Sequence, residues 1–95
     1  MKEVTDDKLN RYFDITGRAL NKVKINPKFV INHESAAEDF LDMARRYYSD
    51  ARYFRDKGDY VSALAALSYA HAWLDAGARI GFFDVDHDSE LFTVD

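Results

Sequence analysis

The stretch DYVSALAALSYAHAWLDAGARIGFF, residues 59–83, decides the fold of this chain. Between Tyr60 and Ala78 it carries a single formal charge, Asp75, and apolar residues lie on almost every side. One helical face repeats at steps of three and four, through Leu64, Leu67, His71, Leu74 and Ala78. A helix that is apolar all round is buried on most sides. The stretch therefore predicts a core helix over about residues 60–80, with many small residues that let neighbouring helices approach closely.

The composition of the chain excludes several kinds of protein and of chemical site. The 95 residues are enough for one domain with its own core. The chain has no cysteine, which excludes disulfides, thiolate nucleophiles and cysteine zinc sites. A formal net charge of −4 disfavours nucleic-acid binding. The beginning of the chain, MKEVTDDKLN, lacks a long apolar signal region, so we expect a cytoplasmic protein. The apolar run of residues 60–78 is too short for a membrane span of about 20 residues, and we expect no membrane segment and no cofactor.

Two further helices precede the central one. An oxygen-bearing cap at Thr5 predicts helix 1 over about residues 6–24, which Pro27 separates from the next helix. Ser35 and Glu38 match a capping box, which predicts helix 2 over about residues 36–57. Gly58 is a typical helix terminator, and the residue after it can cap helix 3. Such a short connection requires helices 2 and 3 to form an antiparallel hairpin.

The loop and the tail carry apolar residues that are seldom left in water. Phe29, Val30 and Ile31 favour a flap that covers one end of the bundle, and the alternative is an exposed docking segment. Apolar residues also interrupt the acidic tail over residues 82–95, so we expect it to pack back on the helices. The sequence thus predicts an all-α fold, a three-helix up-and-down antiparallel bundle with a packed C-terminal tail.

Two resemblances bear on this fold. The hairpin resembles a single tetratricopeptide repeat, with matching residues Tyr47, Ala51, Phe54, Ala63, Leu67 and Ala70. A solenoid needs about three such units, so no peptide groove follows from one. The run YYSDARYFRDKGDYVSALAALSYAHAWLDAGARIGFF, followed by an acidic tail with LFTV, resembles the archaeal family called domain of unknown function 357. That resemblance implies a compact three-helix bundle and an archaeal cytoplasmic setting, and it implies no activity and no catalytic residues.

One row of polar residues runs along the predicted central helix. His71 and Asp75 are one helical turn apart, and Arg79 extends the row by another turn. The row can be a general base or a metal ligand. The more frequent arrangement is a buried histidine that the carboxylate satisfies, and we favour it.

The tail offers a weak metal-binding pattern. Asp84, Asp86 and Asp88 alternate as at the start of a calcium-binding EF-hand loop. Ser89 stands where that loop has glycine, and no exit helix follows. We therefore expect no metal site.

Aromatic residues of helices 2 and 3 give the best functional lead. Four of them exceed what a small bundle covers, and tyrosine and tryptophan are frequent interface anchors; the candidates are Tyr48, Tyr53, Tyr69 and Trp73. Arginines lie between the tyrosines of helix 2, but the charges of that helix sum to zero, which favours a solvated face over RNA binding. We expect a non-enzymatic module for protein interaction or self-association. The alternative is a small ligand-binding protein or enzyme with a polar site around His71 and Asp75.

Overall fold

The computed structural model describes residues 3–93, which form three α-helices and no β-strand. They are α1 (Asp6–Lys22), α2 (His33–Asp56) and α3 (Tyr60–Ile80). The all-α class is confirmed, and α2 and α3 pack against each other as a hairpin. Residues 94 and 95 of the expected tail lie outside the described residues.

The helices begin at side chains that accept backbone N–H groups. Thr5 Oγ1 accepts the N–H of Lys8 at 3.2 Å and starts α1. At α2 the cap is Asn32, whose Oδ1 accepts the N–H of Ser35 at 3.0 Å. The capping box expected at Ser35 is therefore wrong, and α2 begins three residues earlier than predicted. Asparagine is as good a cap as serine, and the earlier start adds backbone hydrogen bonds to the helix.

A tight connection joins α2 to α3. Gly58 adopts a left-handed conformation with φ of 77°, which a residue without a Cβ atom adopts at little cost. Asp59 then caps α3, because its carboxylate accepts the Ser62 N–H at 3.1 Å and the Ser62 hydroxyl at 2.7 Å. These hydrogen bonds from Ser62 lower the pKa of the Asp59 carboxyl below its ordinary value of 3.8.

The contact between α2 and α3 is built from small side chains. The buried apolar residues are alanines on facing stripes, namely Ala44, Ala51, Ala63, Ala66 and Ala70. Small residues let two helix backbones approach closely, as the sequence predicts. The expectation that α3 is covered on most sides is wrong, because Leu64 is 66% exposed and Leu67 is 42% exposed. Helix α2 covers the alanine stripe of α3 and contacts Tyr69 and Trp73, and it leaves Leu64 exposed.

Helix α1 stands apart from the hairpin. No Cα atom of α1 lies within 8 Å of a Cα atom of α2 or α3, and no residue of α1 is buried. The following loop is also open, with Ile25 93% and Val30 90% exposed. The flap expected at Phe29–Ile31 is therefore wrong, because α1 leaves no closed bundle end for it to cover.

The tail packs back on the hairpin as expected. Phe82 meets the ring of Phe40 edge to face at 5.1 Å, and Phe83 lies against the backbone of Gly77. Further along, the tail is hydrogen-bonded to α3 through His71 and Asp75. Nowhere in residues 3–93 does a helix carry an apolar stretch long enough to cross a bilayer.

Candidate functional site

An open groove runs along one side of the hairpin. One part of it has a volume of about 400 Å³ and is lined by Tyr48, Leu64 and Leu67 and by alanines of both helices. A neighbouring hollow of about 370 Å³ shares Tyr48 and continues the same side past Leu74. We call these two hollows together the arginine groove, after the cations at their rim, which are Arg45, Arg52 and Arg55.

Helical spacing explains why these side chains share one side. On α2, Arg45, Tyr48 and Arg52 follow one another at steps of three and four, so they line one edge of the hairpin contact. On α3, Leu64 and Leu67 follow the same period beside the buried alanine stripe. The groove is the gap left where two helices meet through alanines and larger side chains flank the contact.

The groove is locally basic in an acidic chain. Among the residues described, no aspartate or glutamate lines it. Arg55 lies 3.8 Å from Asp56, whereas Arg45 and Arg52 have no ion pair within the described part of the chain. Arg46 points to another side and pairs with Asp42 at 2.9 Å. The groove therefore offers apolar walls and unpaired positive charge against a net charge of −4.

The opposite side of the hairpin holds a third hollow, of about 690 Å³. Tyr47 and Tyr69 meet there edge to face with ring centroids 4.3 Å apart. Partial burial raises the pKa of the Tyr47 phenol, and the neighbouring Tyr69 adds to that rise. We call this hollow the tyrosine pocket; the residues of and before α1 that line it are Val4, Lys8, Leu9 and Tyr12.

The polar row on α3 holds the tail. His71 Nε2 donates a hydrogen bond to the carbonyl oxygen of Leu91 at 2.7 Å and lies 3.5 Å from Asp75 Oδ1. The Asp75 carboxylate accepts the backbone N–H of Thr93 at 3.0 Å. The two side chains are paired as the spacing predicts, but His71 is half exposed rather than buried. Arg79 does not extend this network within residues 3–93.

The acids of the tail bind their own backbone. Asp84 Oδ1 accepts the N–H of Asp86 at 3.1 Å, and Asp88 Oδ1 accepts those of Glu90 and Leu91, each at 3.0 Å. These bonds form local turns, the usual use of aspartate in loops. In the described part of the chain, no group of three or more histidine, aspartate or glutamate side chains is placed to hold a metal ion.

The four aromatic candidates do not form one surface. Tyr48 lines the arginine groove, and Tyr69 lines the tyrosine pocket on the other side. Trp73 is half covered and meets Phe40 edge to face at 4.9 Å. Tyr53 lies outside the arginine groove and the tyrosine pocket, beside Phe54 and Lys57. Of the four, Tyr48 is the one that belongs to an open apolar groove with unpaired charge.

Sequence reasoning missed the groove itself. The sequence pattern predicts Leu64 and Leu67 in the core and the arginines of α2 on a solvated face, and it does not indicate that these residues lie side by side. The sequence does contain one indication of the groove. Arg45, Tyr48 and Arg52 are spaced three and four residues apart, so arginine and tyrosine side chains alternate along one side of α2. It becomes informative only once that side is known to flank α3.

Comparison with known protein families matches residues 11–83 to the family described as Protein of unknown function (DUF357). The matched segment includes most of α1, both helices of the hairpin and the start of the tail. Comparisons with curated proteins and with solved structures give no match.

Proposed function

The chain belongs to the DUF357 family, whose description assigns no activity, and we propose that it is a non-enzymatic protein–protein interaction or self-association module. Its binding surface in this proposal is the arginine groove on α2 and α3. The observation that carries the proposal is an open groove whose apolar walls are exposed, with Leu64 66% and Tyr48 55% accessible.

Physical chemistry favours a protein as the occupant. Contiguous exposed apolar surface with a polar rim is typical of interaction sites in soluble proteins. Tyrosine and arginine are the residue types that most often carry binding energy at such sites. Tyr48 on the groove wall supplies the first type, and Arg45 and Arg52 at its rim supply the second. Leucines at helical spacing add the apolar contact that excludes water.

The alternative of a small enzyme or ligand-binding protein around His71 and Asp75 is disfavoured by their hydrogen bonds. The imidazole donates to the backbone of Leu91, and the carboxylate accepts from the backbone of Thr93. Both groups are thus occupied in holding the tail. A catalytic pair needs an open position next to a reacting group, and the tail fills that position.

The test compares the full chain with a groove variant in two assays. Light scattering over a concentration series measures self-association, and an affinity matrix measures which proteins of the source cell the chain retains. Leu64→Glu keeps a good helix former while placing a charge on the groove wall. We expect it to abolish self-association or specific retention, whichever the wild type shows.

Tyr53→Glu is the matched control, because it places the same charge at a residue outside the groove that is 59% exposed, close to the 66% of Leu64. It should leave both readouts unchanged, with the helical circular dichroism of both variants equal to wild type. Binding that survives Leu64→Glu, or no binding in either assay, would refute the proposal.

We propose a cytoplasmic setting for this module. The absence of cysteine means that the fold does not depend on disulfides formed in an oxidising compartment. A fluorescent fusion observed in the source cell tests the setting, and a signal confined to the cell envelope would contradict it.

A further inference from the structure

We infer that the arginine groove of one copy binds α1 of a second copy. Phe13 and Leu20 of α1 enter the groove, and acidic residues of α1 lie beside its arginines. This inference rests on the proposed function and names the partner. It is carried by two exposed surfaces of opposite charge within one chain.

The first surface is an exposed stripe of α1. Asp6, Phe13 and Leu20 follow one another at steps of seven, which places them on one stripe of the helix. Phe13 is 71% exposed and Leu20 is 74% exposed. An amphipathic helix gains most of its stability by packing its apolar face, and the described chain does not cover this stripe.

The chain itself uses the first two turns of α1. Lys8, Leu9 and Tyr12 line the tyrosine pocket, whereas Phe13 and Leu20 do not. For α1 to occupy its own arginine groove, it would have to leave this pocket and cross to the opposite side of the hairpin. A second copy can receive Phe13 and Leu20 while Leu9 and Tyr12 stay at the tyrosine pocket.

Charge matches across the proposed contact. At 100° per residue, the sector of α1 from Leu20 through Phe13 to Asp14 contains two acidic residues, Asp6 and Asp14, and no cation. The groove offers the opposite sign, with Arg45 and Arg52 free of ion pairs in the described structure. Asp14 pairs with Arg18 at 3.0 Å. That pair is exposed, and such pairs contribute little and exchange readily.

The chain's own tail shows which chemistry this side of α3 accepts. Leu67, His71 and Asp75 follow one another at steps of one helical turn. The groove and the residues that bind the tail therefore lie along one stripe of α3. The segment held there is acidic and apolar, with Phe92 tilted over the His71 ring at 6.2 Å. The open part of the same stripe is where a second acidic and apolar segment would lie.

Reciprocal binding closes the assembly. Each copy supplies one helix and one groove, so a twofold dimer covers both exposed surfaces on both copies. The contact is the same twice, and no groove is left to recruit a third chain.

The experiment uses complementary charge reversal in the full chain. Arg45→Glu with Arg52→Glu defines the groove variant, and Asp6→Lys with Asp14→Lys defines the helix variant. Each variant alone faces like charges in both contacts, so we expect its dimer to be weaker by about tenfold or more. Mixed together, the two variants have opposite charges in both contacts, and the heterodimer should return to within about threefold of the wild-type dissociation constant.

Native mass spectrometry with one variant carrying a mass tag measures the heterodimer, and sedimentation gives the dissociation constants. Arg46→Glu is the matched control, because Arg46 lies outside the groove and pairs with Asp42. It should dimerise within about twofold of wild type.

Two results would overturn the inference, and each of them can be told apart from a failure of the proposed function. A dimer that Leu64→Glu dissociates, but that neither charge variant weakens, places another segment in the groove, and the proposed function stands. A chain that is monomeric at every concentration excludes the second copy. The proposed function then depends on groove-dependent retention of another protein, which the affinity assay measures separately.

Discussion

Gly77 permits a close contact between the tail and the hairpin. A Cβ atom at this position would overlap the ring of Phe83, whereas a Cβ atom at Gly17 would meet nothing within 4 Å. Gly77→Ala gains about 1 kcal/mol of helix propensity but overpacks the contact at a cost of about 1–3 kcal/mol. We expect a net loss of stability of about 1 kcal/mol, equivalent to about 4–8 °C in melting temperature.

Gly17→Ala is the control for this prediction, since it changes a helical glycine in open space. It should raise the helical signal and should not lower the melting temperature. A melting temperature that rises for Gly77→Ala as well would mean that Phe83 moves aside without loss, and that its contact does not stabilise the tail.

Single residues show how far spacing alone can predict a site. The step of one turn from His71 to Asp75 predicted that they meet, and they lie 3.5 Å apart. Their main partners, Leu91 and Thr93, are 18–20 residues away in the chain. Local periodicity contains no information about contacts at that separation, which depend on how the tail folds back. For the same reason, the aromatic candidates could be placed on helices but not on a common surface.

At the scale of elements, the start of α2 offers two candidate capping residues, Asn32 and Ser35, whose contributions to stability can be compared. Asn32 accepts the N–H of Ser35, and the Ser35 side chain is not used as the cap. Asn32→Ala should therefore cost about 1 kcal/mol. Ser35→Ala should cost much less, because it leaves the capping hydrogen bond in place. Chemical denaturation of both variants measures this difference, and equal losses would mean that the helix starts at Ser35.

The burial of each helix was harder to predict than its existence. Caps and the turn at Gly58 are local signals, and α3 runs over Tyr60–Ile80 where the sequence suggests about 60–80. Which sides of α3 are covered depends on whether α1 packs there. Leu64 has the apolar character of a core residue and is exposed because no neighbour covers it. A pattern that is apolar all round predicts that partners are needed, and it does not say whether they belong to the same chain.

At the scale of the whole molecule, the tail packs against the hairpin of α2 and α3, and α1 lies beside that hairpin. The contacts that hold α2, α3 and the tail together include the alanine stripe, the ring contact of Phe40 with Phe82, and the hydrogen bonds of the tail. None of these contacts uses α1. The loop between α1 and α2 is exposed and contains apolar residues that proteases recognise, such as Phe29 and Ile31.

Limited proteolysis should therefore cut first within residues 23–32 and leave a folded hairpin. Exposed loops are the preferred sites of cleavage, because the chain must enter the protease in an extended form. We expect the fragment that begins near residue 33 to keep the helical signal of α2 and α3 and to unfold cooperatively. If α1 of a second copy fills the arginine groove, the same fragment will remain monomeric at concentrations where the full chain is a dimer. A first cut within α2, or a fragment that loses its helical signal, would show that α1 contributes to the stability of the hairpin within one chain.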